Sequence, residues 1–147
     1  MPKQRLILIA GGDLRQYYLA QILAKTCTVY TTGLEKCAPA FSGELPPAQV
    51  STLPPPDYII LPVPAESEKG VLNTPFSAAR ISTEILLSCA DEHTVVLGGR
   101  MDGSLLSMIN ERGLVASDYL KREELAVKNA AVTAEGAVCL AMEELPY

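Results

Sequence analysis

Five short apolar runs, each closed by a glycine, a proline or a turn-rich stretch, constrain this 147-residue chain more than any other feature. They are RLILIA at 5–10, CTVY at 27–30, YIIL at 58–61, TVVL at 94–97 and LVA at 114–116. Short continuous apolar runs without strict alternation read as strands covered on both faces. Segments with helical spacing, 13–25, 81–89 and one running from Asp102 or Gly103 to Gly113, alternate with them. This order predicts an α/β fold: a three-layer, open, mainly parallel sheet of flavodoxin-like or Rossmann-like type. Right-handed crossovers then put helices on both faces and ligands at the carboxyl edge of the strands. The loops 11–16, 62–77 and 98–102 fall on that edge.

The first helix is expected to set Leu14, Tyr17, Tyr18 and Ile22 along one face. Between 31 and 57 the five prolines Pro46, Pro47, Pro54, Pro55 and Pro56 preclude regular ladders, although a short strand fits 49–52. Residues 66–77 read as a polar loop. Thr133 with Glu135 marks the start of a last helix, in which AVCLAM at 137–142 is apolar without a break. A helix apolar all round must be covered all round, either by this domain or by something outside the chain.

Composition narrows the function classes. A 48% apolar and 20% charged chain is ordinary globular material. A net charge of −5 with no basic run argues against nucleic acid as a partner. No stretch reads as a signal sequence or approaches the ~20 apolar residues of a membrane helix, so no membrane partner and a cytoplasmic location are expected. Four cysteines without a C-x-x-C pair, beside one histidine, give no zinc spacing and read as reduced, mostly buried thiols. Nothing places one of them beside His93 as a catalytic pair.

The first strand runs into Gly11–Gly12, where a dinucleotide-binding protein would cradle a pyrophosphate, but G-x-G-x-x-G is absent. Asp13 and Gln16 form a D-x-x-Q capping box, so a carboxylate takes the amides a phosphate would use. Arg15 opposes the helix dipole in the first turn; it is either a carboxylate anchor oriented by Asp13 or a surface partner of Asp13. Arg100 is a second candidate cation, or a solvated loop residue. Ser67, Thr74 and Ser77 are candidate donors or turn residues, and Glu66 and Glu68 lack any sign of a perturbed acid–base role.

Three stretches, GGDLRQ (11–16), IILPVPAESEKGVLNTPFS (59–77) and REELAVKNAAVTAEG (122–136), together resemble the N-terminal domain of the dipicolinate synthase A-chain family of endospore-forming bacteria. The likeness spans the chain; residues 31–56 match poorly and 98–102 depart from the pattern. It implies that 1–147 is a single substrate-side domain, the N-terminal half of an NAD(P)-dependent oxidoreductase. The NAD(P) would sit on a C-terminal Rossmann domain, with no cofactor or metal on this chain. With a flavoprotein-like second subunit, the family oxidises a dihydrodipicolinate-type precursor to dipicolinate, the calcium-chelating acid of the spore core. The implied location is the mother-cell cytoplasm, and a homodimer is a further expectation.

The resemblance also implies substrate-side roles for Gly12, Asp13, Arg15, Gln16, Pro62, Val63, Ser77, Asn129, Thr133 and Glu135. Arg15 would anchor a substrate carboxylate, Asp13 would orient it, and Asn129 and Thr133 would be cleft-side donors. It further implies an extended 125–127, with a short helix ending near Glu124. The alternatives are a stand-alone flavodoxin-like domain that binds a small ligand or regulates, and a nucleotide-dependent enzyme using the glycine turn.

Overall fold

The computed structural model describes residues 3–144, with the side chain of Glu144 left aside. Its strands and helices follow in the order β1 (Leu6–Ala10), α1 (Leu14–Leu23), β2 (Thr28–Thr32), β3 (Tyr58–Ile60), β4 (Glu66–Glu68), β5 (Val71–Leu72), α2 (Thr83–Leu87), β6 (Val95–Gly98), α3 (Gly103–Glu111), β7 (Val115–Asp118) and α4 (Glu123–Glu144). Five strands pair in parallel in the order β2-β1-β3-β6-β7, while β4 and β5 form a separate antiparallel hairpin. The expected α/β sheet is present.

The chain moves from β1 outward to β2 through α1, then back past β1 to β3 and on through α2 and α3. One crossover hand with opposite directions of travel puts α1 on one face and α2 and α3 on the other. Strand alternation feeds the two faces. Leu8, Ile59 and Val96 point toward Leu86, Leu105 and Ile109 in the larger cluster. Ile7, Ile9, Val29 and Ile60 pack with Ala20 of α1 in a smaller one of five buried residues.

Several local expectations are corrected. In α1, Tyr17 is buried with Gln16 and Ala20, whereas Leu14, Tyr18 and Ile22 face solvent. Apolar residues occur on every side of this helix, so spacing alone did not choose the face; the turn before it does. Residues 47–52 form a 3-10 helix rather than a strand, since Pro47 at its start has a fixed φ and no N–H for a ladder. The 66–77 loop holds the β4–β5 hairpin, turning at Gly70 with φ +78°.

The last helix differs most. It runs unbroken from Glu123, so 125–127 are helical and Thr133 is not its cap. Thr133 Oγ1 donates to the Asn129 carbonyl one turn back, a mid-helix bond. The alanines at 126, 130, 131, 134 and 137 supply the propensity that carries the helix through Gly136. Apart from half-buried Leu125, its described side chains are exposed. By length and composition, with a mean hydropathy of 1.3 over an 18-residue window, the helix at 123–143 is apolar enough to cross a membrane, which corrects the expectation that no stretch is.

Helix α3 shows the local logic that held. Asp102 caps it by accepting the Leu105 N–H at 2.8 Å, and Gly113 with φ +71° ends it. The Leu105 amide, with Ser104, holds the Asp102 carboxyl below its usual range. A depressed folded value means the cap stabilises fully above the ordinary carboxylate pKa of about 3.9 and is lost as pH falls below it. Asp102→Ala is expected to cost about 1 kcal/mol at pH 7. In urea titrations the difference from wild type should shrink toward pH 2.5.

Candidate functional site

Strand order reverses between β1 and β3, and at such a switch point the loops part and leave a crevice beyond the carboxyl ends. Here Gly11 and Gly12 leave β1 while Leu61 and Pro62 leave β3. Both glycines are left-handed, at φ +65° and +86°. Gly11 N–H donates to Thr32 O at 2.8 Å, and Gly12 N–H donates to Asn73 O at 2.8 Å. A Cβ on Gly11 would stand 2.5 Å from that same Asn73 oxygen.

The turn is therefore filled by the protein's own backbone. Asn73 is held there by its N–H to Ala65 O and its Nδ2 to Pro64 O, each 3.1 Å. The glycines serve a close chain crossing, and the donors a pyrophosphate needs are taken; these residues do not fit that group.

Asp13 caps α1, accepting the Arg15 N–H at 2.9 Å. The expected capping box is half formed. Gln16 does not reach back; buried, it donates through Nε2 to Leu61 O at 3.0 Å and ties α1 to the end of β3. Arg15 folds over its own cap, with Nε to Oδ1 at 3.0 Å and Nη2 to Oδ2 at 2.9 Å. This fork holds the Asp13 carboxyl below the usual range and raises the guanidinium still further. Both stay charged at any physiological pH.

Beside the pair lies a cavity of about 680 Å³. Asp13, Arg15, Gln16, Tyr119 and Asn129 form its polar rim, while Leu19, Ile60, Leu97, Leu120 and Leu125 form an apolar floor and wall; Gly12, Pro62 and Val63 complete it. Tyr119 donates to Leu61 O at 3.2 Å, and burial pushes its hydroxyl pKa up to about 12, so it remains a neutral donor. Gly99 allows this packing, since a Cβ there would meet Val63 at 2.4 Å and Tyr119 at 3.1 Å.

Seven of the candidate residues meet here: Gly12, Asp13, Arg15, Gln16, Pro62, Val63 and Asn129. Ser77 lies elsewhere, donating to Glu35 at 2.7 Å in a latch between two edge loops. Burial alone would raise Glu35, but the Ser77 hydroxyl and the Ala78 N–H lower it on balance. Thr133 and Glu135 sit farther along the exposed α4 and are not among the lining residues. Arg100, left-handed at φ +52°, is also outside the cavity. Tyr119 escaped the sequence reading, although it directly follows the last strand, where the carboxyl-edge rule points.

His93 is exposed beside Glu92. Of the free thiols, Cys37 and Cys89 are buried, which raises both; Cys27 is half-buried and Cys139 exposed. Among the described residues no three potential metal ligands converge. A second cavity, of about 690 Å³, lies away from the strand ends, between the β4–β5 hairpin and α3.

Fold and site together define a doubly wound α/β domain with a crevice at its switch point and a glycine turn whose amides are bonded to its own backbone. The family of dipicolinate synthase A-chain N-terminal domains matches residues 6–120, and the chain belongs to that family. It is 27% identical to the dipicolinate synthase A chain of Bacillus subtilis (strain 168), over 96% of this chain and 48% of that one. The crystal structure of the Bacillus subtilis dipicolinate synthase A chain superposes with a TM-score of 0.83 at 26% identity, covering 100% of this chain and 50% of the other. The corresponding dipicolinate synthase structure from Bacillus halodurans gives 0.80 at 23% identity, over 97% of this chain and 50% of that one, a likeness of fold. The chain thus spans about half the length of the relatives it matches.

Gly11→Ala tests the crossing. It forces a left-handed alanine and a clash with Asn73 O, and should cost about 3 kcal/mol in chemical denaturation. Gly103→Ala, in open space at the start of α3, should cost nothing measurable.

Proposed function

We propose that this chain is the substrate-side half of a dipicolinate synthase A chain, an NAD(P)-dependent oxidoreductase that oxidises a dihydrodipicolinate-type precursor to dipicolinate during sporulation. Under this reading NAD(P) sits on a C-terminal Rossmann domain, the enzyme works with a flavoprotein-like second subunit, and the assembly operates in the mother-cell cytoplasm. This half binds and orients a small dicarboxylate, and it is inactive alone.

The observation that carries the reading is the forked Arg15 at the rim of the switch-point crevice. Asp13 engages Nε and Nη2, whereas Nη1 makes no hydrogen bond among the described residues. With 73% of its side chain exposed, the guanidinium has its outer edge free for a second carboxylate. Asp13 then acts as orienter. Asn129 supplies an amide donor close by, while the one Tyr119 proton is already given to Leu61 O.

Calorimetric titration of the chain with dipicolinate should show binding, weakened about tenfold or more in Arg15→Ala with the circular dichroism spectrum unchanged. Binding that ignores Arg15→Ala, or none at all, would sink the assignment. A gene that stops at the codon for Tyr147 would instead favour a stand-alone ligand-binding domain.

A further inference from the structure

A parallel sheet is stable when both faces are covered. Here one face carries α2 and α3, whereas among the described residues α1 is the one helix on the other face, where it sits over β1 and β2. The register shows what is left open. On the α1 side, Ile9, Ile60, Leu97 and Ser117 form one cross-strand row, and Ile7, Tyr58, Val95 and Val115 form the next. Each row begins buried under α1 and runs out toward solvent on β6 and β7. Val115, an apolar residue at the far end, is 60% exposed. Ile60 and Leu97, the part of the cavity floor that the sheet supplies, belong to this same open strip.

We infer that the strip over β3, β6 and β7 seats an apolar helix supplied by the second half of the same polypeptide. This rests on the two-domain reading proposed above. Two observations choose the occupant. The family match stops at residue 120, whereas the relatives run on to about twice this chain's length. Helix α4 lies beyond residue 120, leaves from the cavity wall with Leu125 and Asn129, and is otherwise exposed along its apolar length. The unburied surface is thus continuous from the sheet strip onto the element that leads out of the domain. The polar rim at Asp13 and Arg15 stays free for a carboxylate, and the strip below it takes aliphatic side chains spaced at i, i+3 and i+4.

Val115→Asp tests the seat in two contexts. In this chain alone the position is exposed, so the melting midpoint should hold within about 1 °C. In the product of the complete reading frame the midpoint should fall by about 5 °C or more, because a charge then enters an apolar contact. Ile85→Asp on the outer side of α2, 54% exposed, should be neutral in both. As a second readout, maleimide labelling of Val115→Cys, followed by mass spectrometry at that site, should be at least about tenfold slower in the longer protein. Equal labelling rates and a neutral Val115→Asp in both contexts would overturn the inference while leaving dipicolinate binding intact. Protection that appears in the short chain as its concentration rises would overturn it in favour of a second copy. A reading frame ending at Tyr147 removes the two-domain reading itself.

Discussion

One backbone carbonyl organises this domain. Asn73 O occupies the space where Gly11 has no side chain and accepts the hydrogen bond from Gly12 N–H. That contact brings together the end of β1, the segment after the β4–β5 hairpin and, through Gly11 N–H to Thr32 O, the end of β2. Gly33 shares the crossing, with its α-carbon region against Gly11 and Thr74. Three loops at the carboxyl edge are thereby fixed relative to each other, and the phase of α1 follows. Asp13 must cap and Gln16 must turn inward to Leu61, so Leu14 and Tyr18 are rotated outward.

The crevice arises from the same geometry. Gln16 holds α1 over β3 at one end only, and the chain's turn toward β6 carries the next helices to the opposite face. The result is a floor with walls on two sides: α1, and the short 3-10 turn (Tyr119–Lys121) leading into α4. Asp118 braces the second wall by accepting from Met101 N–H and Leu120 N–H, at 3.1 and 3.0 Å. The apolar floor follows from strand alternation, and the polar rim from what each strand needs to stop.

The sheet could be read from the sequence because buried parallel strands are apolar runs with turn residues after them, and all five runs became strands of the one sheet. The closed glycine turn was half readable. Asp13 signalled the cap, but Asn73 lies some 60 residues away, and no local rule pairs a carbonyl with a glycine over that separation. Gln16 misled for a related reason: locally it completes a capping box, and only the approach of β3 offers it the better acceptor, Leu61 O. The face of α1 and the unbroken course of α4 were hidden by sequence that is apolar on several sides, where spacing carries no phase information. Tyr119 was missed because its value lies in packing against Gly99 and in its bond to Leu61 O, which belong to two other loops.

The Asp13–Arg15 fork bears on whether the crevice favours anions at all. Asp13 contributes a full negative charge at the rim, and an isolated carboxylate there would repel an acidic ligand. With Arg15 clasping it through two nitrogens, the pair is close to neutral, and the remaining guanidinium edge is the nearest positive surface. The carboxylate also limits the rotamers of a side chain that would otherwise lose much entropy on binding. Capping and orientation are the same contact here: Oδ1 receives both the Arg15 amide and the Arg15 Nε. A nucleotide phosphate arriving at this helix would have to displace the aspartate from its amide and its arginine together, and Asn73 from Gly12 as well. A small carboxylate approaching from the cavity side disturbs none of them.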